Sequence, residues 1–163
     1  MDKSDRHSKI TGDFGEHFLL YFLSKLNYEA ALIDYTGIDI LAYDKTRNKK
    51  IGISVKARSR TLLRPTDGLL VHGGNYEKII SSCKYFDCEP WICIIIDKPQ
   101  EQGSKIFLFL LSLDALCKYY PNFKTGKEFT FSMATTQLNK YNNDQNIFKI
   151  EFEYKASKWT NAY

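Results

Sequence analysis

Several things are scarce in this chain of 163 residues, and each scarcity removes a class of protein. No apolar run approaches the roughly 18 residues that a membrane-spanning helix needs. The charged amino terminus MDKSDRHSK is not followed by the apolar core of a signal peptide, so a cytoplasmic protein is expected. Four cysteines, Cys83, Cys88, Cys93 and Cys117, are too few and too unevenly spaced for a secreted disulfide framework, and they lack the paired C-x-x-C spacing of a zinc module. The three histidines, His7, His17 and His72, form no ligand pair at helical or strand spacing. No internal repeat or low-complexity linker divides the chain. With 44% hydrophobic residues it is read as one domain, residues 1–163, with room for a core. Aromatic residues, 15% of the chain, are scattered among the expected strands and helices and are read as core.

One further absence is local. Between Lys45 and Arg64 there is no Asp or Glu, while Lys45, Arg47, Lys49, Lys50, Lys56, Arg58, Arg60 and Arg64 supply eight positive charges. The net charge of +4 says little about partners, but this placement suits a polyanion. Such a run is either a solvated surface or a phosphate-contacting rim that releases counterions on binding.

The same stretch carries the strongest pattern. In GIDILAYDKTRNKKIGISVKAR, residues 37 to 58, Ile38, Ile40 and Ala42 alternate on one strand, and Ile51, Ile53 and Val55 on the next. Asp39 then occupies the opposite face of the first strand, and Ser54, Lys56 and Arg58 that of the second. A turn centred near Arg47 and Asn48 would set Asp39 across from Lys56, with side-chain roots about 5 Å apart. Either this is an exposed salt bridge, or an acid and a base project together from one sheet. Upstream, Glu16 lies in GDFGEHFLLYFLSKLNYEA. Asp13 followed by Glu16 reads as a capping box at a helix start; equally, Glu16 is an acid carried close to the sheet by a buried helix.

Gly15-Glu16, then Gly37-Ile38-Asp39-Ile40, then Ile53-Ser54-Val55-Lys56 resemble, in order and spacing, the motifs of the PD-(D/E)XK, or restriction-endonuclease-like, superfamily. Within it they are most similar to small Holliday-junction-resolvase-like nucleases. The resemblance covers about residues 11–97 and implies an αβββαβ core: a mixed central β-sheet flanked by helices, with residues 98–163 as a C-terminal α+β extension. It implies a nuclease that uses Mg²⁺ or Mn²⁺ to hydrolyse DNA, with structured or branched DNA as a candidate substrate and RNA sharing the same chemistry. By the same analogy the protein acts as a homodimer. Asp39 and Glu16 would hold the metal and Lys56 would orient or activate water, while the Val55 carbonyl is a further candidate ligand. Lys45, Arg47, Lys49, Lys50, Arg58, Arg60 and Arg64 would contact nucleic acid. Ser54 departs from the pattern, which has an acid there, and a hydroxyl is a weaker ligand than a carboxylate for a hard cation. Glu77, in NYEKIISSCKYF, would compensate if it reached the metal; alternatively it is a helix-start acid favourable to the helix dipole. Loss of the ligand at Ser54 would instead leave a catalytically inactive nucleic-acid-binding domain of the same fold. A protein-interaction module whose basic hairpin meets an acidic partner is the third reading.

The remaining punctuation predicts a polar tail over residues 1–10, a helix from Asp13 to Leu26, and strands at Tyr28–Ile33, Ile38–Tyr43 and Lys50–Ala57. A long connection follows from Arg58 to Asn75, with Pro65, Asp67-Gly68 and Gly73-Gly74 as breakers. Then come a helix Tyr76–Phe86, a strand Trp91–Ile96, a turn Asp97–Ser104, a strand Ile106–Leu111 and a helix Leu113–Tyr120. Strands Glu128–Met133 and Ile147–Tyr154 flank the polar YNNDQN turn.

Overall fold

Period-two alternation in the sequence becomes strand, and six of the strands join edge to edge. The computed structural model describes residues 3–61, 68–100 and 103–155. Helix α1 (His7–Lys25) leads into β1 (Tyr28–Tyr35), β2 (Ile38–Asp44) and β3 (Lys49–Ser59). A short β4 (Leu69–Val71) and α2 (Asn75–Phe86) precede β5 (Glu89–Gln100) and β6 (Gly103–Ser112). Next are α3 (Leu113–Tyr119), a 3-10 turn (Pro121–Thr125), β7 (Phe129–Phe131), α4 (Thr135–Asn142) and β8 (Ile147–Tyr154). The main sheet runs β1-β2-β3-β5-β6-β8, and β4 pairs with β7 apart from it. Only the β3–β5 pair is parallel within that sheet, and α2 lies on the crossover between them. The fold is therefore mixed α/β with helices on the sheet's faces, in the order helix, three strands, helix, strand expected of a restriction-endonuclease-like core. Strands β6 and β8 continue that same sheet.

Each face of the sheet has its own core. On one side Leu19 and Leu23 of α1 meet Ile40, Ala42, Ile51, Ile53, Val55, Cys93 and Ile95. On the other, Ile79 and Cys83 of α2 meet Ile92, Ile94 and Ile96, and the aromatics Phe109, Phe123, Phe131 and Tyr141 complete the layer. Strand β5 is buried on both faces, which is why its sequence is a continuous apolar run rather than an alternation. The C-terminal segment thus covers the second face of the sheet.

Four expectations about element boundaries are corrected. Helix α1 begins at His7, six residues earlier than the Asp13 signal suggested, because Asp13 and Glu16 lie within the helix and cap nothing. The expected loop Arg58–Asn75 contains β4, which pairs with Phe129–Phe131; Arg64, Pro65 and Asp67 lie outside the described residues. The expected turn Asp97–Ser104 is mostly hairpin, paired from Asp97↔Ile106 to Gln100↔Gly103. Its polar residues sit on the sheet's projecting end, where neither face needs apolar side chains. Helix α4 went unread because only Tyr141 among its residues is buried, leaving almost no periodic apolar signal.

Candidate active site

Asp39 stands where β2 and β3 stop pairing. Their ladder runs from Asp44↔Lys49 to Ile40↔Ile53. One step further along, the Asp39 carboxylate takes over, its Oδ2 accepting the Val55 N–H at 2.6 Å. Asp39 is therefore level with Ser54 rather than across from Lys56. The two-residue offset comes from the turn, which spans residues 45–48 and centres between Thr46 and Arg47. Asp44 sets that centre by accepting from Thr46 N at 2.9 Å and Arg47 N at 3.1 Å. The salt-bridge reading of Asp39 and Lys56 falls with the register, since Asp39 bonds a backbone amide and Lys56 forms no ion pair among the described residues.

Glu16 lies on α1, which packs very close to β3. A Cβ built on Gly15 would come within 2.6 Å of the Ala57 Cβ and 3.6 Å of Val55 Cγ1, so only glycine allows this approach. Glu16 is half-buried. Burial first, then the negative charges of Asp39, Asp13 and Asp34, push its carboxyl pKa above the usual value. Alternation along β3 puts Val55 beneath α1 and Ser54 and Lys56 on the α2 face. Ser54 is only 1% exposed, and its Oγ is buried without a hydrogen-bond partner among the described residues.

Glu77 is brought near this region without joining it. Gly37, at φ +98, holds the β1–β2 turn against α2 so tightly that a Cβ would lie 2.4 Å from the Lys78 carbonyl. Glu77 is exposed in the first turn of α2, in a groove with Tyr35 and Thr36. That position is the one a helix-start acid occupies. Among the described residues, no three His, Cys, Asp or Glu side chains assemble as a metal-ligand group. The candidate carboxylates are Glu16 of α1 and Asp39 of β2, while the buried Ser54 lies level with Asp39 on the opposite face of β3 from α1. Both carboxylates are hard oxygen donors, the class that suits Mg²⁺ or Mn²⁺.

The proposed nucleic-acid contacts separate into two groups. The hairpin cations each have a carboxylate partner: Lys45 with Glu29 at 2.5 Å, Arg47 with Asp44 at 3.8 Å, Lys49 with Glu89, and Lys50 with Asp87 at 3.1 Å. They also sit at the wrong end of the strands to rim Asp39. Asp39 and Asp44 are separated along β2 by roughly 17 Å at the usual strand rise. The other end of β3 is different. There Arg58 and Arg60 line a cleft of about 270 Å³ with Lys3, His7 and Thr11 of the N-terminal segment and α1. Lys3 Nζ donates to Ser59 O at 2.7 Å and Arg60 O at 3.1 Å. Burial, then the positive charges of Arg58 and Arg60, lower the Lys3 pKa against the pull of Asp97. Sequence reasoning missed Lys3, His7 and Thr11 because it assigned residues 1–10 to a tail. A helix begun at His7 would have set His7 and Thr11 one turn apart on a common face.

No protein-family model matches the chain, and no curated protein matches it. Among solved structures, the chain is similar to Hjc, a Holliday junction resolvase from the archaeal hyperthermophile Archaeoglobus fulgidus, at 16% identity and a TM-score of 0.39. That likeness covers 60% of this chain and 88% of the resolvase.

Proposed function

We propose that this chain is a divalent-metal-dependent nuclease that hydrolyses DNA phosphodiester bonds. The observation that carries the reading is Asp39 at the end of the β2–β3 ladder, held by the Val55 N–H and level with the buried Ser54, with Glu16 on the helix packed closely against β3. Glu16 and Asp39 would hold Mg²⁺ or Mn²⁺, which when bound offsets charge on the phosphate and makes water a better nucleophile. The Val55 N–H fixes one oxygen of Asp39 and leaves the other to a ligand. Lys56, two residues beyond Ser54 on the same face of β3, would orient the attacking water and offset phosphate charge. Arg58 and Arg60, further along β3, would hold phosphates beside the scissile one. RNA offers the same bond, and the choice between them is an experimental arm. Incubating supercoiled, linear and four-way-junction DNA, and single-stranded RNA, with Mg²⁺ and then Mn²⁺ identifies the substrate. No hydrolysis of any of them would defeat the reading.

The second reading is a catalytically inactive nucleic-acid-binding domain, favoured by the neutral Ser54 and by the lack, among the described residues, of a third carboxylate beside Glu16 and Asp39. Titration calorimetry with Mn²⁺ separates the two. Wild-type binding that is lost in Asp39→Asn supports the nuclease. No wild-type binding, with binding gained in Ser54→Glu, supports the inactive domain.

A further inference from the structure

Two tyrosines form an exposed stack beside the candidate site. The Tyr35 and Tyr85 rings lie 5.8 Å apart, centroid to centroid, at an interplanar angle of 7°. Phe86 meets both edge-on, at 5.0 Å from Tyr35 and 5.1 Å from Tyr85. Tyr85 is 74% exposed and Tyr35 42%. Tyr85 is therefore braced from behind and from one edge while much of its surface meets water. Ordering a ring and leaving it wet gains little for the fold, so an exposed, braced ring marks a contact surface.

Its placement gives that surface a use. Tyr35 pairs across the ladder with Ile38, the residue before Asp39. Ser82 Oγ donates to the Thr36 carbonyl, and Gly37 abuts the Lys78 backbone, so α2 and the β1–β2 turn move as one piece. Between them lies a groove of about 450 Å³ lined by Tyr35, Thr36, Glu77, Lys78, Ser81 and Tyr85. A ring face beside hydroxyls, a carboxylate and an ammonium matches a nucleotide: π-surface for the base, the hydroxyls and Glu77 for its hydrogen-bonding edge, and Lys78 for a phosphate. An apolar protein face would leave those polar groups unpaired.

We propose that Tyr85, backed by Tyr35, is a stacking platform for an unpaired nucleobase of a nucleotide adjacent to the scissile phosphate. Resting on the nuclease reading, this names the substrate class: nucleic acid that is single-stranded or splayed at the site. Bases inside a duplex present only their edges and cannot use a ring face.

The test is binding of single-stranded oligonucleotides with 2-aminopurine placed at successive positions, in EDTA so that cleavage plays no part. The expected result is fluorescence quenching at one position. Tyr85→Ala and Tyr85→Leu should abolish it and weaken single-strand binding about tenfold, while Tyr85→Phe retains both. Affinity for duplex should not change in any variant. Binding without quenching at any position, or wild-type behaviour in Tyr85→Leu, overturns the platform while leaving nucleic-acid binding intact. A shift from dimer to monomer in Tyr85→Ala by light scattering, with quenching unchanged, also overturns it and assigns the rings to a second copy of the chain. Binding to no oligonucleotide overturns platform and nucleic-acid reading together. Quenching as expected, in a protein that hydrolyses nothing, upholds the platform and fails only the nuclease.

Discussion

Asp39 has two roles that substitutions separate. Its Oδ2 accepts the Val55 N–H where the ladder ends, and its other oxygen is the proposed metal ligand. Asp39→Asn keeps an acceptor oxygen, so denaturant unfolding should show a loss under about 1 kcal/mol while hydrolysis falls at least a hundredfold. Asp39→Ala leaves the amide unpaired and should cost about 1–3 kcal/mol. Glu16 makes a prediction through pH. Its folded pKa is raised, so its protonated form is favoured by folding; the stability this brings is full below the ordinary carboxylate pKa and is lost as pH rises through the raised one. Glu16→Gln should therefore unfold at higher denaturant than wild type at neutral pH and match it at acid pH. Adding Mg²⁺ at neutral pH should raise the Tm of wild type and not of Glu16→Gln. Equal stability of the two proteins at neutral pH would contradict the burial and the Asp39 charge invoked here.

At the scale of elements, the site depends on α1 lying close against β3. Gly15→Ala gains helix propensity of up to about 1 kcal/mol but forces a methyl to within 2.6 Å of the Ala57 Cβ. Overpacking should win, with a net loss of about 1–3 kcal/mol in a urea titration. Adding Ala57→Gly should restore most of it, a coupling that independent sites would not show. The strands that carry Asp39 and Ser54 were legible because alternation at period two is strong when one face is buried. Helix α1 was legible in its middle and misread at its start, where Gly12, Asp13 and Gly15 look like a boundary. Gly15 answers to close packing against β3, while a Cβ at Gly12 would meet nothing, and no local signal distinguishes either from a helix stop. The groove under Tyr85 was illegible for a related reason: Tyr35 and Tyr85 are 50 positions apart, and only the tertiary contact of α2 with the β1–β2 turn joins them.

Across the whole molecule, charge follows the sheet's two ends. The run of cations from Lys45 to Arg64 looked uniform in sequence, yet its members from Lys45 to Arg60 lie at opposite ends of β3, where the hairpin group meets Glu29, Asp44, Asp87 and Glu89. Sequence showed the cations but not the acids that fold against them. If phosphate lies along the far end of β3, Arg58→Gln should weaken DNA binding and reduce the slope of log affinity against log salt by about 1. Lys49→Ala, at the hairpin, should change that slope much less. Among the described residues no helix is long and apolar enough to cross a membrane. The most direct test of the account is nicking of supercoiled plasmid by wild type, Asp39→Asn and Lys56→Ala, each with Mg²⁺, Mn²⁺ and EDTA. The account predicts nicking by wild type with either metal, none in EDTA, and at least a hundredfold loss in both variants. Full activity in Asp39→Asn, or cutting that persists in EDTA, would contradict it.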